Sequence, residues 1–90
     1  MNEREILIKA IRKYGDVVQE REAIKECSAL IQDICHKQMG IDHNIEEEIA
    51  SVEIMLEQLK IINHCHEKVQ KFRELKIRKL YQKAFNIKEV

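Results

Sequence analysis

Apolar residues recur along this chain at three- and four-residue intervals, and polar breaks divide them into four helical segments. From Glu3 to Tyr14, Leu7, Ala10, Ile11 and Tyr14 share one side, Ile6 and Ile8 widen it, and Gly15 supplies a stop. Asp16 is placed to cap a second, longer helix that runs to about Met39. Its apolar stripe is Ala23, Cys27, Leu30, Ile31, Ile34 and Cys35, and Gly40 follows as its terminator. After Ile41-Asp42-His43, Asn44 is a good N-cap with Glu47 at capping-box spacing, so a third helix begins at about Ile45.

The third helix carries a main stripe of Ile45, Ile49, Val52, Leu56 and Leu59, with Ala50, Ile54 and Ile61 on nearly the opposite side. Such a helix wants apolar partners on two faces. One is expected to be the second helix of the same chain, and the other a neighbouring subunit. His64-Cys65-His66 interrupts the pattern, and a fourth helix is expected from about Glu67 to Phe85. The sequence contains no internal repeat and no linker, so residues 1–90 read as a single domain.

Composition agrees with the periodicity. The 90 residues include no proline and two glycines, which favours long helices and disfavours a strand-rich fold. A chain of this length buries a small core, and association between copies often completes it. Sixteen basic and sixteen acidic residues cancel, leaving no global field to recruit nucleic acid or a membrane. The charges are nevertheless sorted. Asp42 to Glu57 holds six acids and no Lys or Arg, whereas His66 to Val90 holds eight bases against three acids.

No apolar run is long enough to span a bilayer and the N-terminus lacks a signal-peptide pattern, which points to a cytosolic protein. Cys27, Cys35 and Cys65 are then expected to be free thiols. Cys35-His36, His43 and His64-Cys65-His66 include zinc-ligand types. In an antiparallel pair of helices, however, His64 lies a helix length from Cys35, about 27 Å at the usual rise per residue, which disfavours one intrachain site. No glycine-rich phosphate loop and no nucleophilic triad order is present.

The acids themselves suggest more specific chemistry. Two segments, Ala23-Ile24-Lys25-Glu26-Cys27-Ser28-Ala29-Leu30-Ile31 and Glu46-Glu47-Glu48-Ile49-Ala50-Ser51-Val52, lie on the two long helices. A three-residue spacing puts side chains on one helix face, and a short connection makes the helices antiparallel neighbours. The pair resembles the E-E-x-x-E and E-E-x-x-D halves of the MazG-like, all-helical nucleoside triphosphate pyrophosphohydrolases, over roughly residues 14 to 85. In the intact motif the resemblance implies four acids converging on magnesium, which polarises a phosphate chain for attack by water. Position by position, Glu26 and Glu48 match the first ligand of each half. Ala29 replaces a glutamate, Ser51 replaces an aspartate and Lys25 replaces the leading glutamate, while Glu47 keeps its counterpart. Alanine offers no oxygen and a serine hydroxyl substitutes poorly for a carboxylate. Glu22, Asp33 and Glu53 offer partial compensation, but their helix directions do not reproduce the missing pair. The plain alternative is that Glu26 and Glu48 are ordinary helix-surface acids.

The fourth helix contains Lys76-Ile77-Arg78-Lys79-Leu80-Tyr81-Gln82-Lys83, similar to the K-x-x-R-L-x-x-R pattern of phage-type members, whose bases the resemblance directs toward nucleotide phosphates. Lys76, Lys79 and Lys83 share a helix face in line with Val69, which would turn them toward the bundle. There they would need an anion, either Glu26 and Glu48 or a bound phosphate.

The resulting expectation is an all-α, MazG-like helical bundle: two long antiparallel helices, shorter flanking helices, and completion by oligomerisation. Lys25, Glu26, Glu48, Ser51, Lys76, Lys79 and Lys83 are its candidate ligand-binding residues, with Glu26 and Glu48 a vestigial metal pair and magnesium a cofactor only of an active form. The resemblance implies a catalytically impaired protein that binds or sequesters a nucleotide-derived ligand, in a phage counter-defence role and in the host cytoplasm if phage-encoded. Two rival readings are an active metal-dependent pyrophosphohydrolase and a helical protein-interaction module.

Overall fold

A computed structural model describes residues 1–85, which form four α-helices and no strand. They are α1 (Glu3–Tyr14), α2 (Asp16–Gln38), α3 (Ile45–Asn63) and α4 (His66–Ala84). Local chemistry accounts for where each begins and ends. The Asn2 side chain accepts a hydrogen bond from the Glu5 N–H at 2.8 Å, closing the start of α1. Gly15, at φ 91°, both ends α1 and begins α2, so a single residue forms the whole joint. Asp16, expected as the cap, is instead the first residue of α2, where its carboxylate still meets the positive end of the helix.

Gly40, at φ 72°, ends α2, and the Ile41 N–H reaches back to the His36 carbonyl at 2.8 Å. The link from Met39 to Asn44 is short, so α3 returns antiparallel to α2 and makes its main packing there. Asn44 does stand at the N-cap of α3, but the capping box is not formed. The Asn44 side chain donates to a Glu47 carboxylate oxygen at 2.6 Å and bonds no backbone N–H. At the other end His64 takes the left-handed conformation, φ 49° and ψ 46°, and the Cys65 N–H bonds the Lys60 carbonyl at 3.1 Å.

The seam between α2 and α3 differs from the expected one. On α2 the buried or half-buried line is Gln19, Ala23, Glu26, Leu30 and Asp33, and on α3 it is Glu48, Ser51, Met55, Gln58 and Ile62. Both lines repeat at about seven residues, the period of helices packed nearly parallel to one another's axes. Polar residues occupy six of these ten positions. The expected stripe on α3 lies about a quarter-turn from the seam, which leaves Ile49 and Leu56 exposed, and on α2 Ile31 and Ile34 are exposed likewise.

The short α1 packs on both α2 and α3 and contributes the buried Leu7. Its neighbours include Ala50 and Ile54, so a helix of the same chain lies along the second apolar face of α3. Among the described residues α4 packs on α3 alone and buries nothing.

Candidate functional site

Seven residues separate Glu26 from Asp33, so both point from one line of α2 toward the start of α3. Asn44, Glu47, Glu48 and Ser51 recur at three- and four-residue spacing on the facing side of α3. Together these six residues line a cleft of about 190 Å³. The N-terminus of α3 opens into the same region, and its unpaired N–H groups favour the three glutamates of the first turn.

The two first-ligand positions of the motif therefore meet across the hairpin. Glu26 and Glu48 face each other across the cleft, where a proton on Glu48 is favoured by a side-chain hydrogen bond to Glu26. That hydrogen bond is the largest cause of a Glu48 pKa raised to about 7. Partial removal from water adds to it, followed by the negative charges of Glu26, Asp33 and Glu47. Asp33, set aside on helix direction, does reach the cleft: it lies two turns beyond Glu26 on the same line of α2. Its spacing from Glu26 is the signal that would have found it.

The remaining sequence candidates divide. Ser51 lines the cleft with a neutral hydroxyl, and Ala29 is half-buried on α2 without contributing an oxygen. Lys25 points away from the cleft into solvent, 3.9 Å from Glu22. Lys76, Lys79 and Lys83 were expected to turn toward the bundle, but all three are exposed on α4 and pair with no acid among the described residues. The reason is tertiary: α4 leaves the hairpin after His64 and packs on α3 alone without burying a side chain.

Ala29 and Ser51 supply no carboxylate where the resembled motif has its second acids. Among the described residues, no three His, Cys, Asp or Glu side chains gather closely enough to hold a metal ion, and this covers the Cys and His residues considered for zinc. The described cysteines are free, Cys27 and Cys65 half-buried and Cys35 exposed. No described helix is long and apolar enough to cross a membrane.

A second polar cluster was not foreseen. Glu57 accepts from Lys60 at 2.9 Å and lies 2.9 Å from the His66 Nε2, which fastens the first residue of α4 to the end of α3. These two partners, Lys60 first, hold the Glu57 carboxyl below the usual carboxylate range. Nine residues and a left-handed turn separate Glu57 from His66, so no helical spacing announces the contact.

Comparison with family models, with curated proteins and with solved structures gives no match. The MazG-like resemblance therefore stands on the motif residues alone.

Proposed function

We propose that this protein is a catalytically silent MazG-like chain that binds a phosphate-bearing, nucleotide-derived ligand without metal-dependent hydrolysis. The observation that carries the reading is the Glu26–Glu48 pair. The two acids that match first-ligand positions of the resembled motif converge in one cleft, while Ala29 and Ser51 supply no second pair of carboxylates for a metal ion. With no metal to bridge acid and phosphate, anion recognition falls to cations. Lys76, Lys79 and Lys83 share one face of α4, are exposed and pair with no acid among the described residues. No lysine lines the acidic cleft of the same chain, so this reading includes an assembly of more than one copy, acting in the cytoplasm. Sequestration of a nucleotide signal in phage counter-defence is the role such a silent relative would have.

The test is calorimetric titration with a nucleotide panel in chelator. Binding is expected to persist without divalent ions and to weaken at least about tenfold in K76E/K79E, the loss of two charge-assisted contacts at about 1 kcal/mol each. Release of pyrophosphate in magnesium or manganese would defeat the proposal in favour of an enzyme. A chain that binds no nucleotide would point to the second reading, a helical protein-interaction module. That reading is favoured by the exposed Phe72, Leu75, Leu80 and Tyr81 of α4.

A further inference from the structure

Every residue of α4 from Glu67 to Tyr81 is exposed. The helix carries seven Lys or Arg against two acids, Glu67 and Glu74, a net charge of +5 on a chain that is neutral as a whole. Glu67, Glu74 and Tyr81 follow one another at seven residues and share one line. Phe72 stands on the other side of the helix from that line. Its side chain is 60% exposed and meets no second ring among the described residues. Lys68 and Lys76, four residues before and after it, and Lys79, seven after, share its face.

The order of these groups says what fits them. Arg73 is four residues from both Val69 and Ile77, and Lys76 is four from both Phe72 and Leu80, so bases interrupt the apolar lines of α4. A bilayer would have to take those bases into its apolar contact, whereas a helix that lies on lipid keeps them on its polar face. An apolar protein groove would have to bury acids to meet them, at the cost of desolvating both charges. A single strand of nucleic acid presents phosphates and flat bases in alternation, so lysines and an aromatic ring side by side serve it with neither buried. The axial span from Lys68 to Lys83 is about 22 Å at the usual rise, room for a short strand. The acids of the chain lie out of range: α4 begins at the opposite end of α3 from Glu46, Glu47 and Glu48. That separation is about 27 Å, against a screening length of about 10 Å at moderate salt.

We propose that α4 is a docking helix for single-stranded nucleic acid, in which Phe72 stacks on a base while Lys68, Lys76 and Lys79 meet the flanking phosphates. The inference goes beyond the nucleotide reading. Phe72 and Lys68 stand outside the set Lys76, Lys79 and Lys83, so a chain that binds mononucleotides but no strand overturns this proposal and leaves that reading standing.

Fluorescence anisotropy of the full chain with a labelled oligothymidylate of about twelve nucleotides tests it, a length within the span of such sites. Affinity is expected to fall with salt, with a logarithmic slope of about −2 for three phosphate contacts. Phe72→Ala should weaken binding at least about fivefold. Lys68→Gln should weaken it and make the slope shallower by about 0.7. Tyr81→Ala should leave it unchanged, because Tyr81 lies on the line of Glu74 and its ring already packs 4.9 Å from that of Phe85. All three side chains are exposed, so helical circular dichroism should persist in each variant. Should Phe72→Ala lose its helices, competition on the wild type decides: inorganic polyphosphate, which has no base to stack, is expected to compete poorly. Absence of strand binding would overturn the proposal. So would equal competition by polyphosphate, affinity indifferent to Phe72→Ala in a folded variant, a duplex bound more tightly than the strand, or binding of anionic vesicles or an acidic protein by α4 in place of the strand.

Discussion

Glu48 carries the clearest consequence at the scale of single residues. Its folded pKa of about 7 lies above the ordinary value of 4.5, so the folded chain holds a proton that the unfolded chain releases between those values. The contribution to stability is fully present below pH 4.5 and is lost as pH rises through 7, after which Glu26 and Glu48 repel. Melting temperature is therefore expected to fall between pH 5 and pH 8. Glu48→Gln should flatten that fall and raise the pH 8 value, as followed by circular dichroism; an unchanged profile would contradict a shared proton. Glu57 has the opposite sign. Its lowered pKa gives stability that is present above 4.5 and lost at more acidic pH. Gln58 is 3% exposed, and its Oε1 has no hydrogen-bond partner among the described residues. Gln58→Met keeps the volume and removes the unpaired oxygen, so urea unfolding should show a gain of about 1 kcal/mol.

The boundaries of the elements were legible because local chemistry sets them. Gly15, Gly40 and Asn44 fall at helix ends in the sequence reading and in the structure, since a positive φ or an N-cap needs no distant partner. The faces were less legible. Ile45 to Leu59 make the most apolar stripe on α3, yet Glu48, Ser51 and Gln58 line the seam, with Ile45, Val52 and Leu59 half-buried and Ile49 and Leu56 exposed. Periodicity identifies a stripe without saying which of two partners takes it. The candidate site shows the same limit: Glu26 and Glu48 were found by motif spacing, but Asp33 was lost and the α4 lysines were turned inward by a bundle that one chain does not form. The turn into α4 can be tested directly. His64 holds a left-handed conformation that costs a side chain about 1 kcal/mol, so His64→Gly should stabilise the chain by up to about that amount in urea unfolding. A loss of stability would mean that the His64 side chain makes a contact worth more than its strain.

For the molecule as a whole, the helices divide into a packed part and a projecting part. α1, α2 and α3 share the buried Leu7, Gln19, Ala23 and Gln58, whereas α4 contributes no buried residue and is fastened chiefly at His66. A fragment ending at Cys65 should keep the helical signal of α1–α3 and lose about 1 kcal/mol or less, the value of a half-exposed ion pair. It should also lose any ligand binding that depends on Lys76 and Lys79. Collapse of the fragment would show that α4 supports the hairpin. The sequence by itself determined four helices, their ends, the neutral but sorted charge, and two acidic helical segments that lack acids at Ala29 and Ser51. These follow from properties that each residue carries with it: backbone preference, hydrophobic period and side-chain chemistry. Only the tertiary structure decided that Glu26 and Glu48 meet in one cleft, that α4 stands away from the acids, and that one apolar side of the hairpin stays open. Those facts depend on the rotation of each helix about its own axis, which is fixed by packing against neighbours.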